Sequence, residues 1–256
     1  MARLSILMPV YNEAATVERA IEEVLDTDLP IETELVIVDD GSTDATAEIL
    51  HGRDWPEDVR IYRHERNSGK GMAVRTALSH ATGDFSTIFD ADLEYSPDSL
   101  NQILPPLLSG EFNAVFGIRA FTGHTSHSFL YVLGNRFVTL VANILFNVYI
   151  ADLMTCHKAI ETELFRSLEL HSRGFDIEAE ITARLLQQGE RIYEVPIGYK
   201  ARSAEEGKKL TAMDGLRVLR TLMRCRLTPP RRVYTPSAAN SRIPHASAAP
   251  ERIKHR

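Results

Sequence analysis

Apolar and polar positions fall into two kinds of block over the first 120 residues. Short apolar runs, rich in β-branched and aromatic residues, recur at 4–10, 34–38, 59–63, 85–89 and 114–118. Runs of that length and make-up read as buried strands. Between them the spacing is helical. Val17, Ala20, Ile21, Val24 and Leu25 share one helical face, and a second helix opens after Asp44 with Ser42 or Thr43 as its expected cap. A third runs from the 67–71 cluster to about His80, and a fourth, over 97–108, has proline in its first turn.

Strands and helices alternating through short connections make a parallel α/β sheet. In such sheets ligands bind beyond the carboxyl ends of the strands. The polar clusters Asn12-Glu13, Asp39-Asp40, Asn67 to Lys70 and Asp90 to Glu94 all end strands, which points to one shared pocket rather than four solvated turns. The last cluster is the most distinctive. A run buried on both faces cannot carry charge, so Asp90, Asp92 and Glu94 must emerge at its C-terminal edge. Alternate residues there can share a hard divalent cation, and an acidic turn in solvent is the plainer alternative.

After Arg119 the alternation stops. The stretch 129–148 is strongly apolar but interrupted by Gly134, Asn135, Arg136 and Asn143. An arginine near mid-span costs a few kcal/mol in a bilayer, so it does not read as a spanning helix. A core helix and a helix half-embedded at a membrane interface both fit. A strand is expected at 157–160, a helix at 178–188, and a strand at 191–199 that Pro196 confines to an edge. A helix at 211–226 gathers Met213, Leu216, Leu219, Leu222 and Met223 on one side, with Arg217, Arg220, Arg224 and Arg226 elsewhere. It is a packed helix with a solvated face, or one resting on anionic lipid at about 1 kcal/mol per basic residue. Residues 1–226 thus form one domain, and 227–256, rich in Pro, Ser, Ala and Arg, form an expected disordered tail.

Composition narrows the class. Of 256 residues 44% are hydrophobic and 25% charged, ordinary for one globular domain with a full core, and the net charge of -6 argues against a nucleic-acid binder. The two cysteines, Cys156 and Cys225, have no metal-ligand spacing, which suits a reduced cytoplasmic protein. The N-terminal residues read as a first strand rather than a signal peptide. His124, His127, His157 and His171 are scattered and read as surface or packing residues.

Pro9-Val10-Tyr11-Asn12-Glu13, then Val38-Asp39-Asp40-Gly41-Ser42-Thr43-Asp44, then Asp90-Ala91-Asp92 resemble, in order and spacing, the family 2 glycosyltransferases of GT-A fold. More narrowly the chain is similar to the polyprenyl-phosphate sugar transferases, the dolichol-phosphate mannose synthase group. That narrower likeness rests on Gly69-Lys70, the Asp90 to Glu94 run, Gly117-Ile118-Arg119, Gly174-Phe175 and the 202–210 segment. The resemblance implies a single Rossmann-like α/β domain with a mostly parallel sheet. It also implies inverting transfer of a hexose, mannose or glucose, from a GDP- or UDP-sugar to a polyprenyl phosphate at the cytoplasmic membrane face.

The residue roles follow from the same resemblance. Pro9, Tyr11, Glu13, Val38, Asp39, Asp40, Lys70, Asp90 and Ala91 would hold the nucleotide sugar. Asp92, with Asp90 and Glu94, would bind Mg²⁺ or Mn²⁺ as a Lewis acid for the leaving diphosphate. Arg119, Arg202, Lys208 and Lys209 would grip phosphate oxygens. The family usually has glutamine where this chain has Glu94, and an arginine ahead of Gly134 where this chain is apolar, so Arg136 is a candidate substitute. A lipid phosphate is already an anionic nucleophile and needs positioning more than a base. A hydroxyl acceptor would need one, with Asp176 or Glu178 as candidates; a non-catalytic nucleotide-sugar binder is a third reading. The membrane surface is an expected partner, and the reading leaves room for a membrane-protein partner.

Overall fold

The computed structural model describes residues 2–119, 129–200, 212–229 and 234. Among them seven strands form one sheet, in the order β3-β2-β1-β4-β6-β5-β7. These are β1 (Arg3–Val10), β2 (Glu32–Asp39), β3 (Val59–Arg63), β4 (Phe85–Ile88), β5 (Ala114–Arg119), β6 (Lys158–Glu161) and β7 (Ile192–Ile197). The helices are α1 (Val17–Asp26), α2 (Thr46–His51), α3 (Lys70–His80), α4 (Leu100–Leu108), α5 (Phe129–Phe146), α6 (Thr162–Ser167), α7 (Ile177–Gln187) and α8 (Ala212–Leu227).

The period-two geometry of a strand splits the core into two layers. Leu4, Ile6, Met8 and Val10 of β1 join Leu35 and Ile37 of β2 beneath α1, α2 and α4. Leu7, Val36 and Val38 point the other way, onto α3, α6 and α7. A third apolar cluster lies among α5, α7 and α8, built on Val138, Ala142, Ala179, Ala183, Val218 and Leu222. Parallel register carries Val10 opposite Asp39 and Leu7 opposite Ile88, so the polar strand ends reach a common edge.

β6 is the exception: it runs antiparallel to both β4 and β5. Its beginning, not its end, therefore lies at the edge where the parallel strands finish, and it delivers Cys156 and His157 there. β7 closes the sheet at the far edge, where Pro196 costs no interior ladder bond.

Local caps differ in detail from the sequence expectation. Neither Ser42 nor Thr43 caps α2. Ser42 Oγ instead accepts the Asn12 amide at 3.0 Å, and Asp44 accepts the Thr46 amide at 3.0 Å. Proline 97 opens a 3-10 turn capped by Ser96, and α4 proper follows it. No helix among the described residues is long and apolar enough to cross a membrane. Most of the expected tail lies outside the described residues; within it, the Tyr234 amide donates to Gln188 Oε1 at 2.8 Å.

Candidate active site

The acidic run leaves β4 as a tight turn. Leu93 adopts φ 59°, which lets Asp92 Oδ1 accept the Glu94 amide at 3.1 Å. The turn brings its three carboxylates to one cavity. Asp90 Oδ2 accepts from Lys70 Nζ at 2.7 Å. Asp90, Asp92 and Glu94 all line a cavity of about 550 Å³. Among the described residues no three His, Cys, Asp or Glu side chains converge as a metal-binding group. Asp90 also has an ammonium partner, which compensates part of its charge at the cavity wall.

Lys70 lines the same cavity and is paired there. Its ammonium sits 2.7 Å from Asp90, 3.0 Å from Cys156 Sγ and 3.2 Å from Glu178 Oε1. Burial disfavours its charge, but Asp90, Cys156 and Glu178 together more than reverse that and hold it protonated. Glu178 Oε2 is in turn 2.8 Å from Lys158 Nζ, a fully buried ammonium that also donates to the Leu153 and Thr155 carbonyls. Two carboxylates and two ammoniums thus form a closed, buried network at one wall of the cavity. Lys70 helps build that wall as a paired cation.

At the opposite end, Pro9, Tyr11, Glu13 and Asp40 line the cavity. The β1 end is latched to the β2 end: Thr43 N donates to Asn12 Oδ1 at 2.9 Å, and Glu13 N to Thr46 Oγ1 at 2.9 Å. Asp40 is buried, and it accepts from the Ser68 amide at 2.9 Å and the Gly69 amide at 2.7 Å, with His64 Nδ1 at 2.6 Å. It therefore fixes the 67–70 loop at the cavity wall. Gly69 is demanded there: its φ is +98°, and a Cβ would come within 2.2 Å of the Arg173 carbonyl. Asp39 stands behind the wall, fully buried, accepting the Ser42 amide at 2.9 Å with Arg63 Nε at 3.2 Å. Val38 is likewise in the core, with its side chain among those facing α3, whereas Ala91 lines the cavity.

Arg119, at the end of β5, is buried and forked onto Asp152, with Nε at 2.6 Å and Nη2 at 2.7 Å. Asp152 also accepts from Asn135 Nδ2 at 3.0 Å. The guanidinium lies 5.2 Å over the Tyr199 ring. Arg119 thus reaches the cavity wall as half of an ion pair rather than as an isolated cation. Tyr131 lines the cavity beside it, whereas Arg136 is exposed on α5. Arg202, Lys208 and Lys209 lie outside the described residues.

The two candidate bases fare differently from each other. Asp176 accepts from Thr221 Oγ1 at 2.8 Å, in contact with α8. Glu178 reaches the cavity wall but is held by two lysines. Sequence reasoning missed Asp152, Tyr131, Tyr199 and the buried Lys158. A tyrosine just past a strand end was the one readable signal.

Asp92 and Glu94 fit a divalent cation of a particular kind. Mg²⁺ usually takes one or two carboxylates together with substrate phosphate oxygens and water, rather than an all-protein cage. Two hard oxygen donors in the wall of a cavity roomy enough for a nucleotide match that set.

The sequence model of Glycosyl transferase family 2 matches residues 5–167. Glycosyltransferase AglJ of Haloferax volcanii is 30% identical over 199 residues, 77% of this chain and 63% of that protein. The dolichol-phosphate mannosyltransferase of Pyrococcus furiosus is 26% identical over 228 residues, 87% of this chain and 64% of the relative. The chain thus spans just under two thirds of the length of these relatives. Among solved structures, glucosyl-3-phosphoglycerate synthase of Mycobacterium tuberculosis, in complex with Mn²⁺, UDP and glucosyl-3-phosphoglycerate, superposes with a TM-score of 0.70. It is 22% identical, with 89% of this chain and 81% of that one covered. That likeness establishes the GT-A fold.

Proposed function

We propose that this chain, which belongs to glycosyl transferase family 2, moves a hexose from a nucleotide diphosphate sugar to a polyprenyl phosphate at the cytoplasmic face of a membrane, with inversion. The course of the cavity carries the acceptor half of this reading. It runs from Pro9, Tyr11 and Asp40, past Asp92 and Glu94, to Arg119, and on to Met213, Asp214 and Arg217 of α8. There α8 exposes Met213, Leu216, Met223 and Leu227, and its neighbour α5 exposes Leu133, Phe137, Leu140 and Ile144. Exposed apolar residues in that number mark an interaction surface. Interspersed arginines suit an anionic bilayer, whose lipid phosphate then lies at the mouth of the cavity.

On this reading the β1 and β2 ends hold the base and ribose of a GDP- or UDP-sugar, mannose or glucose being favoured. Asp92, with Asp90 and Glu94, would hold Mg²⁺ or Mn²⁺, which would supply Lewis-acid stabilisation of the departing diphosphate. Arg119, Arg202, Lys208 and Lys209 orient the acceptor phosphate opposite that leaving group. The acceptor is anionic before it binds, so no general base is required. The paired state of Glu178 accords with this.

Labelled nucleotide sugars incubated with a short-chain polyprenyl phosphate, with and without Mn²⁺, test the proposal. A metal-dependent lipid-linked product is expected. Transfer only to a soluble phosphorylated acceptor such as 3-phosphoglycerate would refute the lipid acceptor, and lipid transfer undiminished by chelation would refute the metal.

A further inference from the structure

The chain leaving the edge strand β7 returns to the acidic turn at one residue, and it makes two contacts there. Tyr199 Oη donates to Glu94 Oε2 at 2.7 Å, and the Lys200 amide donates to the Glu94 carbonyl at 2.9 Å. Glu94 is tied onward through its own amide to Asp92 Oδ1. The Tyr199 ring has little freedom to leave. It lies 5.2 Å from the Tyr95 ring, and the Arg119 guanidinium, itself locked onto Asp152, covers it.

We propose that Tyr199 is a positioning residue for the divalent cation: its hydroxyl fixes the direction in which the Glu94 carboxylate faces the cavity. This rests on the reading above, in which Asp92 and Glu94 hold that cation. A glutamate side chain has three rotatable bonds, and each carries an entropic cost when a metal must order it. A hydrogen bond to one carboxylate oxygen takes that cost in the folding of the protein. Residues that orient a metal ligand in this way typically contribute 10- to 100-fold in metal affinity. The arrangement also suits glutamate at position 94. A carboxylate only accepts, so a fixed hydroxyl donor matches both its charge and its lone pairs.

Tyr199→Phe removes the hydroxyl and keeps the ring between Tyr95 and Arg119. Mn²⁺ binding is followed by the loss of the free-ion paramagnetic resonance signal, with GDP or UDP saturating. The variant should bind Mn²⁺ about 10- to 100-fold more weakly. Its thermal midpoint and its metal-free nucleotide affinity should stay at wild-type values, which a merely structural role would not leave intact. In a Glu94→Ala background the same substitution should change Mn²⁺ affinity no further. Wild-type Mn²⁺ affinity in Tyr199→Phe overturns the proposal, and so does a full additive loss in the double variant. If the wild-type protein takes up no Mn²⁺ with either nucleotide, the metal reading falls and this inference falls with it.

Discussion

Glu178 separates two chemistries, because it reaches the cavity wall as either a general base or a buried counter-ion. Glu178→Gln distinguishes them. The carboxylate sets one oxygen 2.8 Å from Lys158 and the other 3.2 Å from Lys70. An amide can accept from only one ammonium, and its NH₂ then faces the other, donor against donor. Lys70 keeps Asp90, but Lys158 loses the carboxylate charge that faced it in a site with no solvent exposure. Breaking a buried pair from one side costs about 3–5 kcal/mol. At about 2–4 °C per kcal/mol for a domain of this size, the melting midpoint should fall by about 6–20 °C. Adding Lys158→Met should recover part of the loss, since removing both partners of a buried pair is far milder than removing one. Scanning calorimetry measures the midpoint, and turnover per folded molecule is taken well below it. The counter-ion role predicts near-normal turnover at that temperature. An unchanged midpoint with turnover reduced by about 10²-fold or more would refute the reasoning and restore a base.

Two further outcomes follow from the described geometry. Burial lowers the pKa of His157, stacked on Tyr95, from an ordinary 6.5 to about 4. Its contribution is therefore complete above pH 6.5 and lost as pH falls from there through 4, about 3 kcal/mol in all; His157→Gln should flatten urea-derived stability across that window, and an identical slope in both proteins would rule the imidazole out. Replacing Leu140 and Ile144 together by Asp should lower co-flotation with phosphatidylserine-containing vesicles by about 10²-fold or more, since each large apolar side chain contributes about 1.5–3 kcal/mol when buried; undiminished flotation would remove α5 from the membrane contact.

The sheet was legible because its strands are short apolar runs that end in polar clusters, and strand ends are where α/β folds place ligands. Pro196 likewise declared β7 an edge strand. What escaped was pairing at long range. Asp90 and Lys70 are separated by 20 residues and Arg119 and Asp152 by 33, and nothing in local spacing tells which cavity-wall charges are already paired. Lys158 defeated the usual rule outright, being a lysine with no exposure at the start of a four-residue strand. The short helix α6 carries too few residues for a period to register. Tyr199 illustrates the same limit: its position was visible, but its partner lies 105 residues earlier.

The reversed strand β6 also bears on how the chain comes off the ribosome. β1 to β4 pair among themselves, so the first 88 residues can form four adjacent strands as soon as they emerge. β5 cannot extend them, because its neighbours are β6 and β7 and not β4. Until residues 158–161 have been synthesised, β4 offers a bare edge and β5 has no partner. Unpaired edges of that kind template association between chains. The nascent protein therefore carries its greatest aggregation hazard over the roughly seventy residues between β4 and β6, and a chaperone bound there would shield the future floor of the catalytic cavity.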